Sequence, residues 1–470
     1  MNIIQVLDDP SLLAPHFRGP TWTAWRSFLK ALFALPMDDA ALALYRHHTG
    51  RTEPPSAPFR EAALIAGRRG GKSRILGLIA VFLACFHDFR PRLAPGEAAT
   101  LAVIAADRRQ ARGIFRFISG MLRHTPMLAE LVETETADTI TLTNGVVIEI
   151  HTASFRVTRG YSLCAALCDE VAFWRSDESA NPDTEILAAL RPGLSNLRGL
   201  LLIASSPYSK RGALHQAFRE NWGRDGARVL VWRGTTAELN PEIDPGIIAA
   251  AYEADAASAS AEYGANFRDD ITGFVAREVV DACTVPGRYE LPRISANRYV
   301  AFVDPSGGSA DAMTLAIAYR EGSGDAARAV LAAIREVRPP FSPEATVEEF
   351  CKLLKGYGVS RVTGDRYAGE WPREQFRKHG ISYDLADKAK SDLYRELLPI
   401  LNSGRAELLD LPRLAAQFHG LERRVARGGR DSIDHPPGSH DDVVNAVAGA
   451  LLACTPQGMS VMDRMRVLAS

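Results

Sequence analysis

The stretch Ala66-Gly67-Arg68-Arg69-Gly70-Gly71-Lys72-Ser73 follows a short apolar run, Ala62 to Ala66, and precedes a longer one, Ile75 to Phe86. A strand, a glycine-rich turn and a helix in that order present backbone N–H groups and a helix N-terminus to phosphate. In this reading Gly67, Arg68, Arg69, Gly70 and Gly71 wrap the phosphates, Lys72 reaches the terminal ones, and the Ser73 hydroxyl binds magnesium. Ala66 stands where the common pattern has its first glycine, and two arginines crowd the turn. Leu101 to Ala106, Leu163 to Cys168 and Leu200 to Ala204 are further apolar runs alternating with helical segments. They predict an α/β unit with a mainly parallel sheet buried on both faces.

The run Leu163 to Cys168 leads into Asp169-Glu170. An Asp at that strand end can hold magnesium through water, and the adjacent Glu can polarise an attacking water. The run Leu200 to Ala204 leads into Ser205-Ser206-Pro207, small hydroxyl residues suited to sensing a terminal phosphate and coupling its loss to motion. Arg68, Arg69, Arg156 and Arg159 are candidates for stabilising transition-state charge, and the sequence does not choose among them. Residues 139–150 alternate about Asn144-Gly145, a hairpin signal. Ahead of the loop, Trp22, Trp25 and Phe28 recur at helical spacing; they read as core rather than as a face for stacking adenine.

The C-terminal third carries a different pattern. Residues 299–303, 314–319 and 329–335 read as three strands joined by short turns; a helix over 343–357 and a strand over 359–364 follow. Three antiparallel strands and then alternating helices and strands is the order of a ribonuclease-H-like domain. Asp304 ends the first strand, Asp365 ends the fourth, and Asp441-Asp442 open the last helix. Carboxylates converging on two cations about 4 Å apart can activate a water and stabilise a leaving oxygen, and magnesium prefers such oxygen ligands. Asp311 reads as a turn residue, and Asp434 and His435 are given no metal role. Lys388, Lys390, Arg395, Arg423, Arg424, Arg427 and Arg430 are interleaved with this set, and Lys390 is the best placed to contact phosphate.

At 470 residues the chain exceeds one domain of usual size. Its net charge of −1 excludes a protein coated in nucleic-acid-binding charge, so DNA contact must come from local clusters. The six cysteines fall mostly within apolar runs and lack the spacing of a zinc site, as expected of buried thiols in a reducing compartment. No signal peptide is read, and residues 75–86 fall short of the ~20 needed to cross a bilayer.

Taken in this order, the residue 67–73 loop, Asp169-Glu170, Ser205-Ser206-Pro207, Asp304, Asp365 and His440-Asp441-Asp442 resemble the large terminase subunit of tailed bacteriophages over nearly the whole chain. That resemblance implies a P-loop ATPase domain with a mainly parallel sheet, followed by a ribonuclease-H-like nuclease domain. The expected division is a helical preface over 1–60, the ATPase over 61–255, a linker over 256–295, the nuclease over 296–455 and a tail over 456–470. It further implies ATP and magnesium as cofactors, with manganese able to substitute in the nuclease. Double-stranded DNA, a portal protein, a small terminase subunit and a homo-oligomeric ring on the procapsid are the implied partners, in the host cytoplasm and away from membranes. Glu170, Asp304, Asp365, Asp441 and Asp442 are the implied catalytic residues, and Ser73, Asp169, Asp304, Asp365, Asp441 and Asp442 the metal ligands. The competing expectation is a P-loop helicase or translocase whose C-terminal domain grips nucleic acid without cutting it.

Overall fold

The computed structural model describes residues 1–154, 160–175, 182–309, 311–324, 327–365, 371–425 and 431–455. Arg156, Arg159, Arg427, Arg430 and the 456–470 tail lie outside them. The chain divides into two compact units, one extending to Asp269 and the other running on from Asp270.

The first unit is built on eight strands. In spatial order they are Val132–Glu135, Thr139–Leu142, Val146–Thr152, Ala99–Ala105, Ser162–Asp169, Leu200–Ser205, Glu61–Ala66 and Val229–Gly234. The last six run parallel, and the first two extend the sheet antiparallel through the hairpin about Asn144-Gly145. The period-2 rule of a strand explains the two-sided burial. Ala62, Leu64 and Ala66 enter one core with the helices Lys72–Phe86 and Arg108–Arg123, while Ala63 and Ile65 enter a second with the helix Pro182–Ser195. The preface supplies the helices Ile3–Asp8, Thr23–Leu32 and Asp39–Thr49, and Trp25, Phe28 and Tyr45 from it are buried in the first of these cores.

The second unit centres on seven strands in the order Thr284–Val285, Ala406–Leu409, Arg328–Val337, Met313–Glu321, Tyr299–Asp304, Arg361–Gly364 and Ser382–Leu385. The three strands from Tyr299 to Val337 pair antiparallel, and Arg361–Gly364 and Ser382–Leu385 then add parallel to the first of them. This is the ribonuclease-H-like order. The helix Pro343–Gly356 covers one face; Lys390–Asn402, Pro412–Gly420 and Asp442–Cys454 cover the other. A Cβ at Gly449 would come within 2.6 Å of Phe302 Cε2, so the glycine lets the closing helix lie directly on the first strand. A separate antiparallel sheet joins Ile271–Gly273, Glu422–Arg424 and Ser432–Asp434.

Residues 256–295, read from sequence as a linker, carry regular elements as far as Val285. They hold the helix Ala256–Glu262 in the first unit, and the strands Ile271–Gly273 and Thr284–Val285 and the helix Arg277–Cys283 in the second. Ala259 and Ala261 are buried in the one, and Ile271, Val280 and Cys283 in the other, which accounts for the order of this stretch.

Candidate functional sites

Parallel register places the carboxyl ends of three strands side by side in the first unit. Ile65 pairs with Ser205, and Ala204 pairs with Asp169. The strand ending in Ser205 therefore lies between the one feeding the loop and the one ending in Asp169, and these ends are where ligands bind in open α/β sheets. Beside them a cavity of about 1280 Å³ is lined by the residue 68–74 segment, Glu170, Trp22 and Asn240.

The loop is held from several places. The Trp25 indole donates to Gly70 O at 2.9 Å, the Thr236 hydroxyl to Arg68 O at 2.7 Å, and the Asn240 amide to Arg69 O at 3.1 Å. Arg69 (φ 64°) and Gly71 (φ 98°) are both left-handed, turning the chain so that the helix begins at Lys72. A Cβ at Gly67 would meet Thr236 N at 2.5 Å and Tyr263 O at 2.8 Å. Gly67→Ala is expected to cost about 1–3 kcal/mol as overpacking against backbone that cannot yield, and to weaken nucleotide binding; denaturant unfolding and a fluorescent-nucleotide titration measure the two effects. Arg68 pairs with Glu262 at 3.0 Å, and that hydrogen bond holds its guanidinium pKa above the usual value.

Lys72 is buried, and its ammonium donates to Ala66 O at 3.0 Å and to the Ser206 hydroxyl at 2.9 Å, with Glu170 Oε1 3.5 Å away. Glu170 Oε2 in turn accepts from the Ser205 hydroxyl at 3.0 Å and from Ser206 N at 3.2 Å. The Ser205-Ser206 tip thus touches both the loop lysine and the carboxylate across from it. Just beyond it, Arg268 N donates to Tyr208 O at 2.7 Å and Ser209 bridges Arg268, next to where the chain leaves this unit. Asp169 is buried with Oδ1 lacking a hydrogen-bond partner. Burial, followed by the Glu170 charge, pushes its carboxyl up to about 7. A buried carboxylate oxygen with no donor is what a hydrated divalent cation would satisfy. Trp25, fully buried and bonded to the loop, braces it from the core, as its spacing suggested.

In the second unit, Phe302 pairs with Thr363 and Val303 with Gly364, which brings Asp304 and Asp365 to adjacent strand ends. Asp441 caps the closing helix and Asp442 begins it. Burial, then the charges of Asp365, Asp442 and Asp441, raise the Asp304 carboxyl well above its usual range, against the opposing pull of Asn445. Burial also raises Asp365, and it lifts Asp442 to about 6. This mutual repulsion of desolvated carboxylates is the electrostatic condition for a divalent cation site.

Asn445, one turn into the closing helix, donates to Asp365 Oδ2 at 2.7 Å, and its own buried Oδ1 has no partner. Sequence reasoning gave it no role, although a lone amide among Val443, Val444, Ala446 and Val447 was a visible signal. Tyr394 was also missed; its hydroxyl donates to Asp441 Oδ2 at 2.8 Å. Lys390, expected at phosphate, bonds instead to Asp434 at 2.7 Å and to Asp441 at 3.1 Å. Its ammonium lies among ligand atoms of Asp434, His435 and Asp441 that are within 4.8 Å of one another. Lys388, Arg395 and Arg423 are likewise paired, with Glu396, Asp392 and Asp431. The Asp311 carbonyl accepts from the Ser306 hydroxyl at 2.6 Å, closing a turn.

No family model matches this chain, and no curated protein matches it. Among solved structures it is similar to the large terminase of bacteriophage HK97, at 15% identity over 96% of this chain and 99% of that one, with a TM-score of 0.43. It is similar also to the large terminase of a thermophilic bacteriophage in complex with ADP, at 12% identity over 84% and 94%, with a TM-score of 0.37. The large terminase nuclease of thermophilic phage G20c with bound magnesium gives 16% identity over 37% and 94%, with a TM-score of 0.31. Every one of these scores is below 0.5, so the function rests on the residues described above.

Proposed function

We propose that this chain is the motor and nuclease subunit of a viral DNA-packaging machine. ATP hydrolysis in the first unit drives double-stranded DNA into a procapsid, and metal-dependent cleavage in the second cuts it when packaging starts and ends. What carries this reading is the union, in one chain, of a braced phosphate loop facing Asp169-Glu170 with four carboxylates, largely buried, on a ribonuclease-H-like sheet.

In the first unit the loop N–H groups and Lys72 would hold and neutralise the phosphates, and Ser73 and Asp169 would hold magnesium. Glu170, fixed by Ser205 and Ser206, orients the attacking water and accepts its proton. In the second unit Asp304, Asp365 and Asp442 would hold the metals, with Asp441, already bonded to Tyr394 and Lys390, setting the charge balance behind them. Bound magnesium or manganese supplies Lewis acidity and lowers the pKa of its water. The partners that complete the machine are a portal protein, a small terminase subunit and further copies in a ring, in the host cytoplasm. Among the described residues no helix is long and apolar enough to cross a membrane.

Plasmid cleavage by the full chain with magnesium or manganese, alongside DNA-stimulated ATP hydrolysis, tests this. Nicking that Asp304→Asn abolishes and Lys72→Ala spares is the expected result. Robust ATP hydrolysis with no cleavage by the wild type would favour a translocase that only grips DNA. Asn445→Leu, which frees Asp365 to turn, is expected to lower cleavage by about 10–100-fold, as loss of a ligand-orienting partner does, with ATP hydrolysis unchanged in the same preparations.

A further inference from the structure

Two imidazoles and a carboxylate converge in the first unit, from elements other than those that carry Asp169 and Glu170. One ring nitrogen each of His47 and His48 and a carboxylate oxygen of Glu238 lie within 4.8 Å of one another. His47 Nε2 is 2.7 Å from Glu238 Oε1. His48 is buried, stacked on the Trp232 ring at 4.7 Å, and its Nδ1 is 2.7 Å from Arg233 O. With the Nδ1 proton given to that carbonyl, Nε2 keeps its lone pair, which is how metal-ligating histidines are oriented. Glu238 is fixed too, because its Oε2 accepts from Thr235 N at 2.7 Å in a capping box. Both histidines lie in the last turn of the helix Asp39–Thr49, where the macrodipole favours a cation.

We infer that His47, His48 and Glu238 form a zinc-class metal site that ties the helix Asp39–Thr49 to the segment bracing the phosphate loop. Two imidazoles and one carboxylate, with a fourth position left to water, suit zinc or cobalt rather than magnesium. Glu238 lies on the short helix Thr236–Leu239, whose Thr236 bonds Arg68 O, and Asn240 next to it bonds Arg69 O. A metal here would hold the preface against the outer wall of the loop without touching nucleotide.

Cobalt(II) titration of the full chain, read by visible absorption, tests the site, since four-coordinate cobalt gives far stronger bands than the six-coordinate oxygen site expected at Asp304. The expected result is strong bands that saturate at one equivalent, that zinc displaces, that Asp304→Asn retains and that His47→Ala removes. His47 is exposed, so its replacement leaves the core intact, and a circular-dichroism melt confirms that the variant is folded. Bands of equal strength in His47→Ala, or only weak six-coordinate absorption from the wild type, would overturn the assignment.

Discussion

Asp304→Asn is expected to abolish metal-dependent DNA cleavage and, in the same protein at neutral pH without metal, to raise the melting temperature of the second unit. The loss follows from position: Asp304 ends the central strand, and register and the closing helix bring Asp365, Asp441 and Asp442 around it. The gain follows from charge. Asp304 is half-buried, its carboxyl desolvated beside those carboxylates, and its pKa is held well above the unfolded value of about 3.9. The native state therefore binds the Asp304 proton more tightly than the unfolded chain does. The stability this supplies is complete below about pH 3.9 and is lost as pH rises through the folded value. Asparagine cannot ionise, so the variant escapes that loss, and its advantage widens from acid towards neutral pH. Each kcal/mol relieved raises the melting temperature by about 2–4 °C in a unit of this size. Added magnesium should narrow the gap by stabilising the wild type alone. Calorimetry across pH, with and without magnesium, reads the sign directly; a variant less stable than wild type at pH 7 would show that the carboxylates do not repel as described.

Lys72→Ala is expected to reduce ATP hydrolysis by about 10²–10³-fold, the scale seen when one preorganised charge-stabilising donor is removed, with cleavage by the second unit retained. Lys72 contacts Ala66 O, Ser206 and Glu170 at once, and its charge also draws the Asp169 pKa downward. Its removal therefore raises Asp169 further, and magnesium affinity at neutral pH should fall along with turnover. Lys72→Arg separates the two effects: it keeps a charge but places it wrongly, so magnesium affinity should recover more than hydrolysis does. Phosphate release and isothermal titration with magnesium–nucleotide measure both. Hydrolysis at the wild-type rate in Lys72→Ala would remove the loop from the chemistry.

Both motif sets were legible because each depends on a local pattern. The glycine-rich turn between apolar runs is fixed by backbone geometry, and strand ends declare themselves where an apolar run stops at Asp169 or Asp304. What holds the sites was far less legible, because it comes from distant sequence. Trp25, Glu262 and the Thr236–Asn240 stretch reach the loop from three distant parts of the chain, and nothing in their neighbourhoods marks them. Lys390 shows the same limit from the other side: its charge and position suggested phosphate, yet only the fold reveals two carboxylates beside it. Residues 256–295 looked unpatterned because their few apolar side chains are divided between two cores.

The Ser205-Ser206 tip belongs to a stiff, fully buried strand, and three residues further on its chain is fastened to Arg268 by backbone bonds. A rod clamped at both ends does not absorb displacement; it passes it along. An ångström of travel imposed at the serines by the arrival or departure of a phosphate has little slack to dissipate in before it reaches the exit of the unit. By the same token, in the proposed motor, tension arriving through the polypeptide at that exit would pull on the serines that hold Glu170, so its rate of hydrolysis would respond to mechanical load.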